Sequence, residues 1–202
     1  MSKRYLVDTN AYVRIARHSD CVLGTQGELE LWMLSEITSE CARSPRLKEV
    51  FPWMHEPPHP SVRNRATLNL RDTQKAKIKK CAAELAPFLD DVLMGFTDAR
   101  ARREQRGAVL SPPDKAVFFG AYALGYGVIT DEGPMSLLCK EFDVEHLSSF
   151  GLLKYVYEAG LINRLQVDEI VKAWQFHKDE PKDWRRAYTA LFGSAPPRPT
   201  VL

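Results

Sequence analysis

The chain has only four cysteines in 202 residues, Cys21, Cys41, Cys81 and Cys139, and they stand far apart. With no Cys-x-x-Cys pair among them, neither a zinc site nor a dense disulfide framework is expected, and a reduced, cytoplasmic setting is the default. No apolar run approaches the ~20 residues of a membrane helix, so no membrane partner is expected. A signal-peptide core is missing too, because Asp8, Asn10 and Arg14 interrupt the apolar start. Charge of one sign is also scarce. The net charge is +2, so a nucleic-acid partner has to show in local patches rather than in the total. No glycine-rich phosphate loop and no Gly-x-Ser-x-Gly elbow is present, which removes the usual signs of a phosphotransfer or hydrolase domain. His55 and His59 have a ligand-like spacing, but HEPPHP is broken by prolines and reads as a loop.

What the chain does have is ordinary globular material: 45% hydrophobic and 27% charged residues, enough for one compact domain with a helical extension. Tyr5–Val7 reads as a short buried strand followed by a helix from Ala11 to Arg17. A polar, glycine-bearing stretch leads to LELWML, a second apolar segment that reads as a strand. SEITSECARSPRLKEVF reads as a helix interrupted at Pro45, and FPWMHEPPHPSVRNR as an irregular connection. From Asp72 to Gln105 runs a long helical pattern that Pro87 should kink or split. GAVLSPPD is a loop, KAVFFGAYALGY an apolar helix, GVIT a buried strand, DEGPMSLLCKEF a loop and helix, and VEHLS another strand. Short strands alternating with helices predict a three-layer α/β/α fold on a short-stranded parallel sheet. Residues 1–150 form the expected domain, with a helical insertion at about 44–110. Residues 151–193 form a C-terminal helical extension and 194–202 a loose tail.

In a parallel sheet every strand delivers its C-terminal residues to one edge, so acids distant in sequence converge there. The first strand ends at Asp8, and GVIT ends at Asp131 and Glu132. Asp114 opens the helix that leads into GVIT. Glu36 and Glu40 share one face of the SEITSEC helix, so either reaches the same rim. Plain structural roles compete with this reading: Asp114 after two prolines suits a helix cap, Asp131 with Glu132 before Gly-Pro a turn, and Thr9 or Asn10 beside Asp8 the cap of the first helix. Four carboxylates at one rim repel each other unless a cation holds them, and all-oxygen ligands suit Mg²⁺ or Mn²⁺.

Three segments, YLVDTN, SEITSEC and PPDKAVFFGAYALGYGVITDE, resemble in order the blocks of the PIN domain, the fold of VapC-type metal-dependent ribonucleases. The resemblance implies a ribonuclease that hydrolyses RNA with Mg²⁺ or Mn²⁺. Its acidic quartet would be Asp8, Glu40, Asp114 and Asp131, with Glu132 competing for the fourth place and joining Asp8, Asp114 and Asp131 as a metal ligand. ITSEC favours Glu40 over Glu36, and Asn10 and Thr130 would orient the carboxylates. The resemblance further implies a toxin of a toxin–antitoxin pair, hence an antitoxin partner, and a homodimer. The alternative is a PIN domain that has lost cleavage and binds RNA or protein. The chain departs from the small toxins in its long segment between Glu40 and Asp114 and in its added C-terminal helices.

For phosphate contacts the sequence offers Lys75, Lys77, Lys79 and Lys80, and, nearer the active edge, Arg100, Arg102, Arg103, Arg106 and Lys115. Tyr155, Tyr157, Trp174, Phe176, Trp184, Tyr188 and Phe192 have spacings that fit core packing in a helical cap. Stacking of bases is the other reading of these aromatics.

Overall fold

The computed structural model describes residues 2–16, 24–26, 28–50, 67–95 and 109–198. The chain runs β1 (Lys3–Val7), α1 (Thr9–Ala16), β2 (Gly24–Gln26), β3 (Leu29–Trp32), α2 (Ser35–Arg43), α3 (Pro45–Val50) and α4 (Asp72–Met94). It continues α5 (Pro112–Leu124), β4 (Gly127–Ile129), α6 (Gly133–Glu141), β5 (His146–Leu147), α7 (Ser149–Glu158), α8 (Arg164–Phe176) and α9 (Trp184–Phe192). His55, His59, Arg100, Arg102, Arg103 and Arg106 lie outside the described residues, as do much of the 44–110 segment and the end of the tail.

The sheet has the order β2-β3-β1-β4-β5. β3, β1, β4 and β5 are parallel, and β2 adds antiparallel to the outer side of β3. The expected parallel α/β sheet is therefore present; β2 was not expected, because a three-residue Gly-Thr-Gln strand carries no apolar alternation. β1 is central and its last three residues are buried, as an apolar run covered on both faces should be. Its register sets Tyr5 beside Gly127, Leu6 beside Val128 and Val7 beside Ile129. A Cβ at residue 127 would lie 2.3 Å from the Tyr5 ring, so only glycine fits that pairing.

From β1 the chain moves one way to β3, and from β3 it crosses back to β4. Right-handed crossovers then put α1 and the α4–α5 connection on opposite faces. The contacts agree: α5 lies on β1 and β4 with α4 and α6 packed on it, whereas α1 contacts α7 and α8. The C-terminal helices share one continuous buried core with the sheet, through Phe150, Val171, Trp174, Trp184 and Tyr188. Phe176 departs from the expected packing and is 62% exposed. Pro87 does not split α4, which runs unbroken through it. Packing along α5 holds Cys81 on one side of the proline and Leu89 and Leu93 on the other, and so offsets the lost backbone bond.

Because the crossovers leaving β1 and β4 diverge, a crevice opens between the carboxyl ends of these two strands. That is the position where open α/β sheets hold ligands.

Candidate functional site

Asp8 follows β1 directly and is 1% exposed. Its N–H extends the ladder by donating to the Ile129 carbonyl at 3.1 Å, and Oδ1 accepts from Ala11 N–H at 2.6 Å. The aspartate therefore caps α1 itself. Thr9 and Asn10, the expected caps, are released for other work: the Thr9 hydroxyl donates to Glu40 Oε2, and Asn10 Nδ2 donates to Glu132 Oε1 at 2.7 Å. Asp8 Oδ2 is buried and makes no hydrogen bond among the described residues. Burial raises the Asp8 carboxyl to about 7; the Thr130 side chain and the Ala11 N–H pull against that shift, and the charges of Glu132 and Asp131 add to it.

A cavity of about 330 Å³ opens beside these residues, lined by Glu40, Asp114 and Glu132 together with Thr9, Asn10 and Ser111. Glu40 comes from the second half of α2. Glu36, one turn earlier, is exposed and lines a neighbouring hollow with Ser39 and Arg43, so the structure separates two glutamates that helical periodicity could not. Asp114 is the third residue of α5 rather than its cap. Ser111 is the cap, and its hydroxyl donates to Asp114 Oδ2 at 2.6 Å. Glu132 is held above the usual glutamate range first by burial, then by the charges of Asp114 and Glu40, against the Asn10 hydrogen bond and the Arg14 charge.

Asp131 is turned elsewhere. Its carboxylate pairs with Arg14 Nη1 at 2.5 Å, accepts from Ser149 N–H at 2.9 Å, and takes the Ser149 hydroxyl as well. Adjacent residues of an extended chain project to opposite sides, so only one of Asp131 and Glu132 can face the cavity. Thr130 is buried, and its Oγ1 accepts from Glu132 N–H at 3.1 Å, which fixes the turn that aims Glu132. Lys115 pairs with Asp90 of α4 at 3.4 Å and does not line the cavity.

No protein-family model matches the chain, and no curated protein does.

Sequence reasoning missed further residues that line the cavity, Arg46 of α3 and His177, Lys178 and Asp179 after α8. It also missed Arg14, whose guanidinium bridges Asp131 and Asp179. The signal available was an arginine on the buried face of a helix. Such a residue needs anionic partners, though the sequence does not say which.

Among the described residues no three His, Cys, Asp or Glu side chains stand close enough to hold an ion as they lie. The donor set nonetheless suits a hard cation. It is all oxygen, Asp8 Oδ2 is without a partner, and Asp8 and Glu132 each resist ionisation partly because of neighbouring carboxylates. A larger hollow of about 720 Å³ at the amino ends of the strands offers no such set: of its two carboxylates among the described residues, Asp143 and Glu145, the second is already paired with Lys3 and Tyr5.

Among the described residues, no helix is long and apolar enough to cross a membrane.

Proposed function

We propose that the chain is a divalent-metal-dependent ribonuclease of the PIN type, cutting RNA at the carboxyl edge of the sheet. The observation that carries this reading is the convergence of Glu40, Asp114 and Glu132 on one cavity, with the unpartnered Asp8 oxygen buried at the end of the adjoining central strand. Asp8, Asp114 and Glu132 would hold Mg²⁺ or Mn²⁺, with Glu40 beside them. Asp131 is left out of the set because Arg14 and Ser149 take up its carboxylate. When bound, the cation supplies a water of lowered pKa and polarises the phosphodiester.

The chain's own residues do the arranging. Asn10 fixes Glu132, Thr9 fixes Glu40 and Ser111 fixes Asp114, so each acid is held by one neighbour and keeps oxygen capacity for a ligand. Deep burial of Asp8 excludes bulk water from one side of the site.

The test is Mn²⁺ titration by calorimetry of the wild type, Glu132→Gln and Asp114→Asn. Saturable binding by the wild type that weakens at least about ten-fold in either variant supports the reading. A wild type that binds no Mn²⁺ overturns it. RNA binding without Mn²⁺ binding would instead favour the alternative of a PIN domain that binds RNA without cutting it.

A further inference from the structure

We propose that Lys178, supplied by the C-terminal helices, grips a backbone phosphate of a single RNA strand, and that Arg46 and Arg43 continue the same phosphate track past Glu40. The proposal rests on the reading of the cavity as a ribonuclease site and extends it to the substrate's path.

Groups of both signs line the cavity: Glu40, Asp114 and Glu132 together with Arg46 and Lys178, while Asp179 already shares the charge of Arg14, 2.6 Å from Nη2. Arg46 and Lys178 make no ion pair with any described residue, although carboxylates line the same cavity. The cavity is therefore set for a group that is anionic toward the lysine and tolerated by the acids once a cation offsets them. A phosphodiester bridging metal and lysine meets both conditions. A cavity of about 330 Å³ holds a unit the size of one nucleotide, not a duplex. Glu40 also lines the neighbouring hollow with Arg43, so a strand leaving the cavity over Glu40 meets a further cation.

Lys178 is held in place at some cost. Its φ is +52°, the left-handed region that glycine adopts freely and lysine does not, at the turn that ends α8. The turn is fastened on both sides by one residue. Arg14 donates to the Asp179 carbonyl at 3.1 Å and to its carboxylate, while the Arg14 carbonyl accepts from Trp174 Nε1 at 2.8 Å. Within the turn Lys178 N–H donates to the Gln175 carbonyl at 3.2 Å and Asp179 N–H to the Trp174 carbonyl at 3.0 Å. Glycine would relax that backbone, so Lys178 stands at the edge of the cavity in a conformation that its residue type disfavours.

The strain also supplies the test. Lys178→Gly should leave melting temperature unchanged or raised, so any loss of binding is not a loss of fold. Binding of a 5′-labelled, cleavage-resistant single-stranded RNA is read by fluorescence anisotropy with Mg²⁺ on the otherwise wild-type chain. We expect Lys178→Gly to weaken it about ten-fold and to reduce the slope of log affinity against log salt by about 0.7, the value for one phosphate contact on a single strand. Lys178→Arg should stay within about two-fold, and Lys172→Ala, on the preceding helix and paired with Glu169 at 3.0 Å, should change nothing. Equal affinity and equal slope in Lys178→Gly overturn the proposal, and so does an absence of RNA binding altogether. If the wild type cuts RNA while Lys178→Gly binds normally, the phosphate track falls and the ribonuclease reading stands. If Lys178→Gly loses affinity but the wild type never cuts, the track stands and the ribonuclease reading falls.

Discussion

Arg14 and Asp131 meet at 2.5 Å with side chains only 12% and 7% exposed, and this pair joins the end of β4 to the C-terminal helices through Asp179. It explains why the first of two adjacent acids is withdrawn from the cavity and the second is presented to it.

Arg14→Ala leaves the Asp131 carboxylate buried without its cation. Removing one member of such a pair costs about 3 kcal/mol, more than the pair itself is worth. Urea unfolding should show a loss of that order, whereas Lys172→Ala, which breaks only an exposed pair, should change stability by less than about 0.5 kcal/mol.

Glu132 and Asp131 should part company when each is neutralised. Glu132→Gln keeps the Asn10 hydrogen bond through its amide oxygen and removes a charge that burial disfavours, so stability holds or rises while cleavage drops about 100-fold or more. Asp131→Asn weakens the Arg14 pairing and should lower melting temperature. A cleavage assay beside a thermal melt separates the two, and the reverse pattern would exchange their roles.

For Asp8 the sign of the pH effect follows from its raised carboxyl. Unfolded, the group titrates near 3.8; folded, at about 7. Between those values the folded state keeps a proton that the unfolded chain releases. The stabilisation is therefore full below about pH 4 and is lost as pH rises through about 7, by at most about 4 kcal/mol. In EDTA, stability against pH should fall across this window and be flatter in Asp8→Asn. Mn²⁺ affinity should rise with pH over the same window, since binding displaces the proton. Parallel stability curves for the two proteins would refute the assignment.

Gly127→Ala tests how the sheet aims the site. The added methyl meets the Tyr5 ring at 2.3 and 2.4 Å, close to the Glu145 carbonyl as well. Overpacking of this kind costs roughly 1–3 kcal/mol. Because Tyr5 lies three residues before Asp8, on the strand that leads into it, RNA cleavage should fall along with stability.

Much of this site was legible in the sequence because strand ends and helix starts are local signals. The apolar run Tyr5–Val7 stopping at Asp8, and Gly127–Ile129 stopping before Thr130, marked two strand ends whose parallel pairing then brought the acids together. Which of Asp131 and Glu132 lines the cavity was not legible, since Arg14 and Ser149 hold Asp131 from 117 and 18 residues away. Caps were misread by one or a few positions: Asp8 rather than Thr9 or Asn10 caps α1, and Ser111 rather than Asp114 caps α5. Several neighbouring residues of suitable type competed for each place, and tertiary partners settled the contest. Lys178 was missed because it follows a helix that reads as mere packing, and its placement depends on the clamp by Arg14.

Cleavage of single-stranded RNA in Mg²⁺ or Mn²⁺ by the wild type, Asp8→Asn and Asp114→Asn tests the central claim most directly. The wild type should cut in the presence of either cation and stop in EDTA, with both variants reduced about 100-fold or more while still folded by circular dichroism. Equal cleavage by all three proteins, or cleavage undiminished in EDTA, would contradict the account.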